Sequence, residues 1–265
     1  MSRFTRRAVL LTAILPLFAA TPPAMAQDRP YLRDNGTAIA RPPVAESSVA
    51  ITPDKFESYV ARLEAVEAVK RLIASFGYFR SANLPEETAA LFVKDGKVDY
   101  DGGQWVGQPA LLRLFRGRFR QAALAGTTGP QPDILNESYV LQPVIDVSDD
   151  NRTAAARFRE IQYQGKRGET QLYGAMLYEA VFSKTDGVWA FHSLVPCVAW
   201  QTEYQQDLST VKLPEYPKAA PILYPAAPDG PDRLSSQLCV PWPFGGITPP
   251  MHYPHPVTGE TINKP

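Results

Sequence analysis

The sequence predicts an α+β domain in which helices come first and a long antiparallel sheet follows. Three observations predict it. Apolar residues recur at helical spacing from Phe56 to Phe76. The apolar period then changes to two, from Ile134 onward. The later segments are joined by short runs of turn residues, which suits strands that pair with their neighbours.

The elements follow in order. Thr52-Pro53 reads as an N-cap with proline at the first helical position. Phe56, Tyr59, Val60, Leu63, Val66, Val69, Ile73 and Phe76 mark one face of a long helix that ends near Ser81-Ala82-Asn83. Pro85-Glu86-Glu87 opens a short second helix through Phe92, its acids at the positive end of the dipole. Lys97 to Tyr100 reads as a strand and Asp101-Gly102-Gly103 as a turn. Gly107-Gln108-Pro109 opens a third helix with Leu111, Leu112, Leu114, Phe115 and Phe119 as its apolar side. Its arginines, Arg113, Arg116, Arg118 and Arg120, are expected on a solvated face, an anion patch being the alternative. The strand candidates are Ile134–Val147, Thr153–Gln164, Thr170–Ser183 and Val188–Tyr204. Runs such as Ser148-Asp149-Asp150-Asn151 and Lys184-Thr185-Asp186-Gly187 link them.

The flanks differ from this body. Residues 1–26 carry Arg3, Arg6 and Arg7 and no acid, then an apolar stretch from Ala8 to Ala20 and Ala24-Met25-Ala26. That is the pattern of a removable signal peptide. Thr5-Arg6-Arg7-Ala8-Val9 further resembles a twin-arginine signal, a general secretory signal being the alternative. The expected location is the bacterial periplasm or the exterior, with no stable membrane insertion after signal removal. Residues 27–51 read as an extended arm, 52–212 as the domain, and 213–265 as a tail that wraps it. Half of the 26 prolines lie in that tail, with Tyr216, Tyr224, Trp242, Phe244, Met251 and Tyr253 among them.

Composition removes whole classes of function. The 265 residues are 45% hydrophobic and 20% charged, as a globular chain requires. With 27 basic and 27 acidic residues there is no basic excess for nucleic acid. Without the first 26 residues, 24 basic face 27 acidic side chains. Two cysteines and three histidines do not build a disulfide framework or a zinc site, so no metal is expected. Cys197, on the last strand, and Cys239, in the tail, could pair in an oxidising compartment or stay apart.

Several segments carry a family resemblance. Leu63-Glu64-Ala65-Val66-Glu67-Ala68-Val69-Lys70, Ala89-Ala90-Leu91-Phe92-Val93-Lys94-Asp95-Gly96, Val106-Gly107-Gln108-Pro109-Ala110-Leu111 and Leu141-Gln142-Pro143-Val144 lie in order along the chain. With the tail run Pro249-Pro250-Met251-His252-Tyr253-Pro254-His255-Pro256-Val257-Thr258-Gly259, they are similar to the NTF2-like, SnoaL-like superfamily. The resemblance implies a cone: long N-terminal helices on a strongly curved antiparallel sheet, enclosing one pocket. It also implies a cofactor-independent reaction, since members include dehydratases, isomerases, cyclases and lyases of small aromatic or polycyclic molecules. Many members use an Asp late in the first helix and a His on the third strand. In this chain those positions hold Ser81 and Ser138, so that pair is not carried over.

Other residues must then supply the chemistry. Glu179 is the one charge between Glu169 and Lys184, and strand alternation sets it with Ala175, Leu177 and Val181. An acid on an apolar face suits a general acid or base; the alternative is a Glu paired with Arg157 or Arg159. Arg157 and Arg159 share a face and could hold an oxyanion, or lie on an exposed strand face. Tyr78, near the end of the long helix, is a candidate proton donor or a core tyrosine. His192, on the last strand, is a candidate shuttle or faces away. Trp105 is a candidate pocket wall or a hydrophobic cap. Phe79, Ser81, Ser138 and Arg157 complete the expected substrate contacts. Both faces of the Glu179 strand are apolar, so the outer one needs a partner subunit, the tail or both, and a homodimer or higher oligomer built there is expected. The expected function is a lyase of a small, possibly lignin-derived, aromatic substrate, by water or formaldehyde loss. A non-catalytic small-molecule-binding or association protein is the first alternative, and an isomerase of a polycyclic ketone the second.

Overall fold

The computed structural model describes residues 52–169, 171–203, 220–237 and 239–262. The expected signal peptide at 1–26, the arm at 27–51 and residues 204–219 lie outside the described residues.

Helix α1 runs Pro53–Ser81. Thr52 is extended, and proline follows at the first turn, where its missing N–H costs nothing. Ala65, Val69, Ile73 and Phe76 are the buried stripe. Asn83 stops the helix with a positive φ of 52°, a conformation asparagine tolerates better than most residues. Helix α2 runs Pro85–Ala90. It is shorter than the sequence predicts, because Phe92 belongs to the sheet. Strand β1, Phe92–Tyr100, sets Phe92 parallel to Phe191, and the two rings stack at 5.0 Å.

Strand β2 is Gly103–Val106 and turns back on β1 through Asp101 and Gly102, both with positive φ. Gly103 is thus a strand residue, not the end of a turn. Helix α3, Gln108–Arg116, buries Ala110, Leu111, Leu114 and Phe115. Four long strands follow: β3 Ile134–Val147, β4 Thr153–Lys166, β5 Gln171–Thr185 and β6 Val188–Glu203. A two-residue β7, Arg233–Leu234, closes the sheet in the order β3-β4-β5-β6-β1-β2-β7.

The faces of this sheet decide where a site can be. Ala154, Ala156, Phe158, Glu160 and Gln162 of β4 are buried on one face, under α1. Phe158 stacks on Tyr178 of β5, and Phe76 of α1 meets Tyr178 and Phe191. Met176, Tyr178, Ala180 and Phe182 therefore point to the core. Glu179 points the other way with its cross-strand partner Arg157. Strand β6 carries one extra residue at each of two bulges. Ala175 and Met176 oppose Trp200 and Val198, leaving Ala199 unpaired; Val181 and Phe182 oppose Ser193 and Phe191, leaving His192.

Residues 220–237 and 239–262 lie against this body. Asp232 accepts from Val106 N and Arg113, and Ser235 donates to Asp99. Trp242 N donates to Ala199 O, and Cys197 is disulfide-bonded to Cys239 with Cα atoms 5.5 Å apart. Among the described residues, no helix is long and apolar enough to cross a membrane.

Candidate functional site

The buried stripe of α1 continues to Arg80, four residues beyond Phe76. Arg80 sits in the last turn, where a cation complements the helix dipole. Asn136 of β3 donates to the carbonyls of Arg80 and Ser81 and so fixes the helix end to the sheet. The Arg80 guanidinium lies 4.4 Å from the Phe119 ring centroid and 5.5 Å from that of Phe76.

Facing Arg80 is Glu160, whose side chain is fully buried. Arg80 Nη1 stands 2.5 Å from Glu160 Oε2 and donates to the Tyr178 hydroxyl at 2.8 Å. Tyr178 itself donates to Oε2, while Ser138 Oγ and Gln162 Nε2 donate to Oε1. Four donors therefore hold one carboxylate. Burial works to lower the Arg80 pKa, but the Glu160 charge, with Tyr178 beside it, raises it overall. Burial pushes the Tyr178 hydroxyl far above the ordinary tyrosine range against the pull of Arg80, and the Glu160 charge adds to the rise. Tyr100, buried nearby, is pushed up to about 12 by burial and by Asp101. Both phenols keep their protons near neutrality, and Tyr178 donates its own to Glu160.

A cavity of about 250 Å³ opens beside this network. Arg80, Tyr100, Arg118, Arg120, Gln162 and Gln164 supply its polar wall. Phe119, Leu172, Met176, Val198 and Trp200 supply apolar wall. The β6 bulge at Ala199 lies between Val198 and Trp200, and the disulfide at Cys197 is next to them. Among the described residues no Asp, Glu or His lines this cavity. Gln162 connects the two regions: it lines the cavity and donates to Glu160 at 3.0 Å.

A family model described as a SnoaL-like domain matches residues 61–195. The chain belongs to the SnoaL-like family. No curated protein sequence matches it. Among solved structures, a candidate scytalone dehydratase of Novosphingobium aromaticivorans is 22% identical with a TM-score of 0.45, covering 56% of this chain and 93% of its own. An NTF2-like protein with a cystatin-like fold from the same species is 18% identical with a TM-score of 0.46, covering 60% and 94%. The hexachlorocyclohexane dehydrochlorinase LinA-type3 of Novosphingobium barchaimii is 16% identical with a TM-score of 0.46, covering 59% and 99%.

The SnoaL-like domain separates the residues that the sequence groups together. Glu179 is on the face opposite the core, because Tyr178 and Phe182 take the inward positions. It pairs with Arg157 Nη1, which also donates to Pro249 O at 2.9 Å. His252 Nδ1 lies 2.8 Å from Glu179 Oε2, so a tail histidine completes that pair. Arg159 is exposed on the same outer face. Tyr78 is 76% exposed, since it lies between the inward positions Phe76 and Arg80. Trp105 is fully buried opposite Val98, its indole donating to Asp229 O, and does not line the cavity. His192 is half-buried at the second β6 bulge. Phe79 is half-buried and outside the cavity lining. Ser81 and Ser138 do meet: the Ser138 N–H donates to Ser81 Oγ at 2.9 Å, beside Glu160.

Of the arginines of α3 and the following loop, Arg116 is exposed as a solvated face requires, while Arg113, Arg118 and Arg120 are half-buried. Arg113 pairs with Asp232, Arg116 with Glu86 and Arg118 with Asp229. Arg120 donates to Asn83 Oδ1 and Thr127 O. Its pKa is lowered by burial, with Glu86 opposing.

Arg80, Glu160, Tyr178 and Gln162 are the residues that sequence reasoning missed. Their signals were present. Arg80 extends the Val69-Ile73-Phe76 stripe, and Glu160 alternates with Ala154, Ala156 and Phe158.

Proposed function

We propose that this chain is a cofactor-independent lyase of a small oxygenated aromatic substrate, with the Arg80–Glu160–Tyr178 network as its centre. One observation carries the reading: a fully buried carboxylate, held by four donors, stands beside the cavity next to Ser81 and Ser138. Burying such a pair is costly, and strongly shifted titratable groups concentrate at functional sites. Glu160 supplies a carboxylate close to where the family resemblance leaves serines.

Each group has a role set by its atoms. Among the described residues Arg80 Nη2 and Nε have no protein acceptor, so they can hold an oxygen on which negative charge develops. Tyr100 hydrogen-bonds a leaving oxygen, which departs as water with the proton that Glu160 takes from the substrate. Glu160 Oε1 takes the substrate's proton from the position that Gln162 Nε2 holds, once the amide swings aside. The second reading is a small-molecule-binding protein. It is favoured by the saturation of Glu160 and by a cavity wall with no carboxylate or imidazole among the described residues. The disulfide and the arginine-bearing N-terminus support export to an oxidising compartment.

The test is incubation of the protein lacking residues 1–26 with one-ring and two-ring phenols and hydroxyketones, following water or formaldehyde loss by mass spectrometry. The lyase reading expects turnover that Glu160→Gln abolishes while ligand binding persists. Tight binding without turnover across the panel gives the binding-protein reading instead.

A further inference from the structure

The cavity wall has an unusual charge. Three arginines, Arg80, Arg118 and Arg120, line it, and no acid does among the described residues. Their compensation is uneven. Glu160 balances Arg80 from behind. Asp229, itself half-exposed, stands 3.5 Å from Arg118. Arg120 has no ion-pair partner among the described residues, and its Nε is buried without an acceptor. A partly desolvated guanidinium with no ion pair at contact distance, reached by Glu86 only through space, is unfavourable, so the cavity is more stable with an anion in it.

Geometry narrows the anion further. Guanidinium groups match planar oxyanions through paired N–H donors, and a carboxylate offers two acceptors in one plane. Part of the wall is apolar, with Leu172, Val198 and Trp200. The volume of about 250 Å³ falls below the roughly 300–1,000 Å³ of sites for drug-sized ligands. One ring bearing one carboxylate suits that space; a polycyclic ligand does not.

We infer that the ligand of this cavity is a small aromatic monocarboxylate, its carboxylate held by Arg80, Arg118 and Arg120 and its ring laid against Val198 and Trp200. The inference names the substrate class of the site proposed above and rests on that cavity being the site. It does not require that the site be catalytic.

The test is calorimetric titration of the protein lacking residues 1–26 with isosteric pairs: benzoate against benzamide, and cinnamate against cinnamide. The expected result is that each acid binds at least roughly tenfold more tightly than its amide, with an affinity that falls as salt rises. Arg118→Gln and Arg120→Gln each weaken the acid by roughly tenfold to a hundredfold, the range for losing a charged hydrogen bond. Arg113→Gln, which faces Asp232 away from the cavity, leaves it unchanged. Where Arg120→Gln does not fold, Arg118→Gln decides. Equal affinity for acid and amide, no binding of any acid at millimolar concentration, or acid affinity untouched by the arginine changes overturns the inference. The two readings fail separately. Carboxylate preference without turnover sinks the lyase and keeps this ligand class, whereas turnover of neutral compounds without carboxylate preference does the reverse.

Discussion

Glu160 Oε2 lies 2.5 Å from Arg80 Nη1 inside the sheet, although the two residues are 80 positions apart and the Glu160 side chain is excluded from water. The pair joins the last turn of α1 to β4. Each member is costly alone, because removing one leaves a buried charge without a partner. Arg80→Met is expected to lower stability by about 3–5 kcal/mol. Replacing both residues with methionine should recover most of that loss, since a buried ion pair and a well-packed apolar pair are often close in stability. Urea unfolding of the two single variants and the double variant measures this. If the double variant is as unstable as the sum of the singles, the pair is not the coupled unit described here.

The pair also shows how far the sequence could be read. The helices-then-sheet order follows from periodicity, because burial on one face leaves a repeating mark at Val69, Ile73 and Phe76 or at Ala154, Ala156 and Phe158. The inward face of β5 is not marked in that way. Met176, Tyr178 and Phe182 alternate with Ala175, Leu177 and Val181, and both sets are apolar. Glu179 then looks buried on either assignment. In the structure it is largely buried, but beneath Thr248, Pro249 and His252 on the far side of the sheet. Contacts that cross from residues 248–252 to 157 and 179 leave no local signal, because nothing in strand spacing reports what a distant tail covers. The same holds for Trp105, which looks like a pocket wall until Asp229 is seen to take its indole proton.

Alkaline stability should report Tyr100. Burial and Asp101 raise its pKa from 10.0 to about 12, against the pull of Arg80. Between those values the unfolded chain has lost the phenol proton and the folded chain has kept it. Stability is therefore fully present below pH 10 and falls as pH rises through 12, by about 3 kcal/mol for a two-unit shift. Tyr178, raised further, acts in the same direction. Denaturant unfolding from pH 8 to pH 12 should show a decline that Tyr100→Phe makes shallower. An identical slope in Tyr100→Phe would assign the decline to other groups.

Gly77 should reverse the usual helix rule. Glycine inside a helix is normally less stable than alanine by roughly 0.5–1 kcal/mol. Here α1 approaches β3 so closely that a Cβ at Gly77 would lie 2.9 Å from Val140 Cγ2 and 3.3 Å from Ser138 O. Val140 can yield, but the Ser138 carbonyl is backbone, and that residue's hydroxyl donates to Glu160. Gly77→Ala is expected to destabilise by about 1–3 kcal/mol, the range for overpacking. Adding Val140→Ala should restore part of the loss by relieving the side-chain contact. A more stable Gly77→Ala, read from its thermal midpoint, would mean that α1 has room to move off the sheet.

The disulfide should matter for the cavity as well as for the tail. Cys197 and Cys239 close a loop with a sequence separation of 42, for which loop entropy alone suggests about 4 kcal/mol. Cys197 is next to Val198 in the cavity wall, and Trp242 N donates to the carbonyl of the bulged Ala199. The tail thus grips β6 on both sides of a lining residue. Cys197→Ser with Cys239→Ser is expected to lose about 2–4 kcal/mol of stability. Limited proteolysis should then cut first within residues 239–262, whose other anchors are single hydrogen bonds and ion pairs rather than the β7 pairing that holds residues 233–234. Ligand affinity should fall with the loss of that grip, since the bulge that sets Val198 and Trp200 into the cavity would be held by β5 alone. A double variant that resists protease and binds as before would show that β5 and β6 shape the wall without the tail.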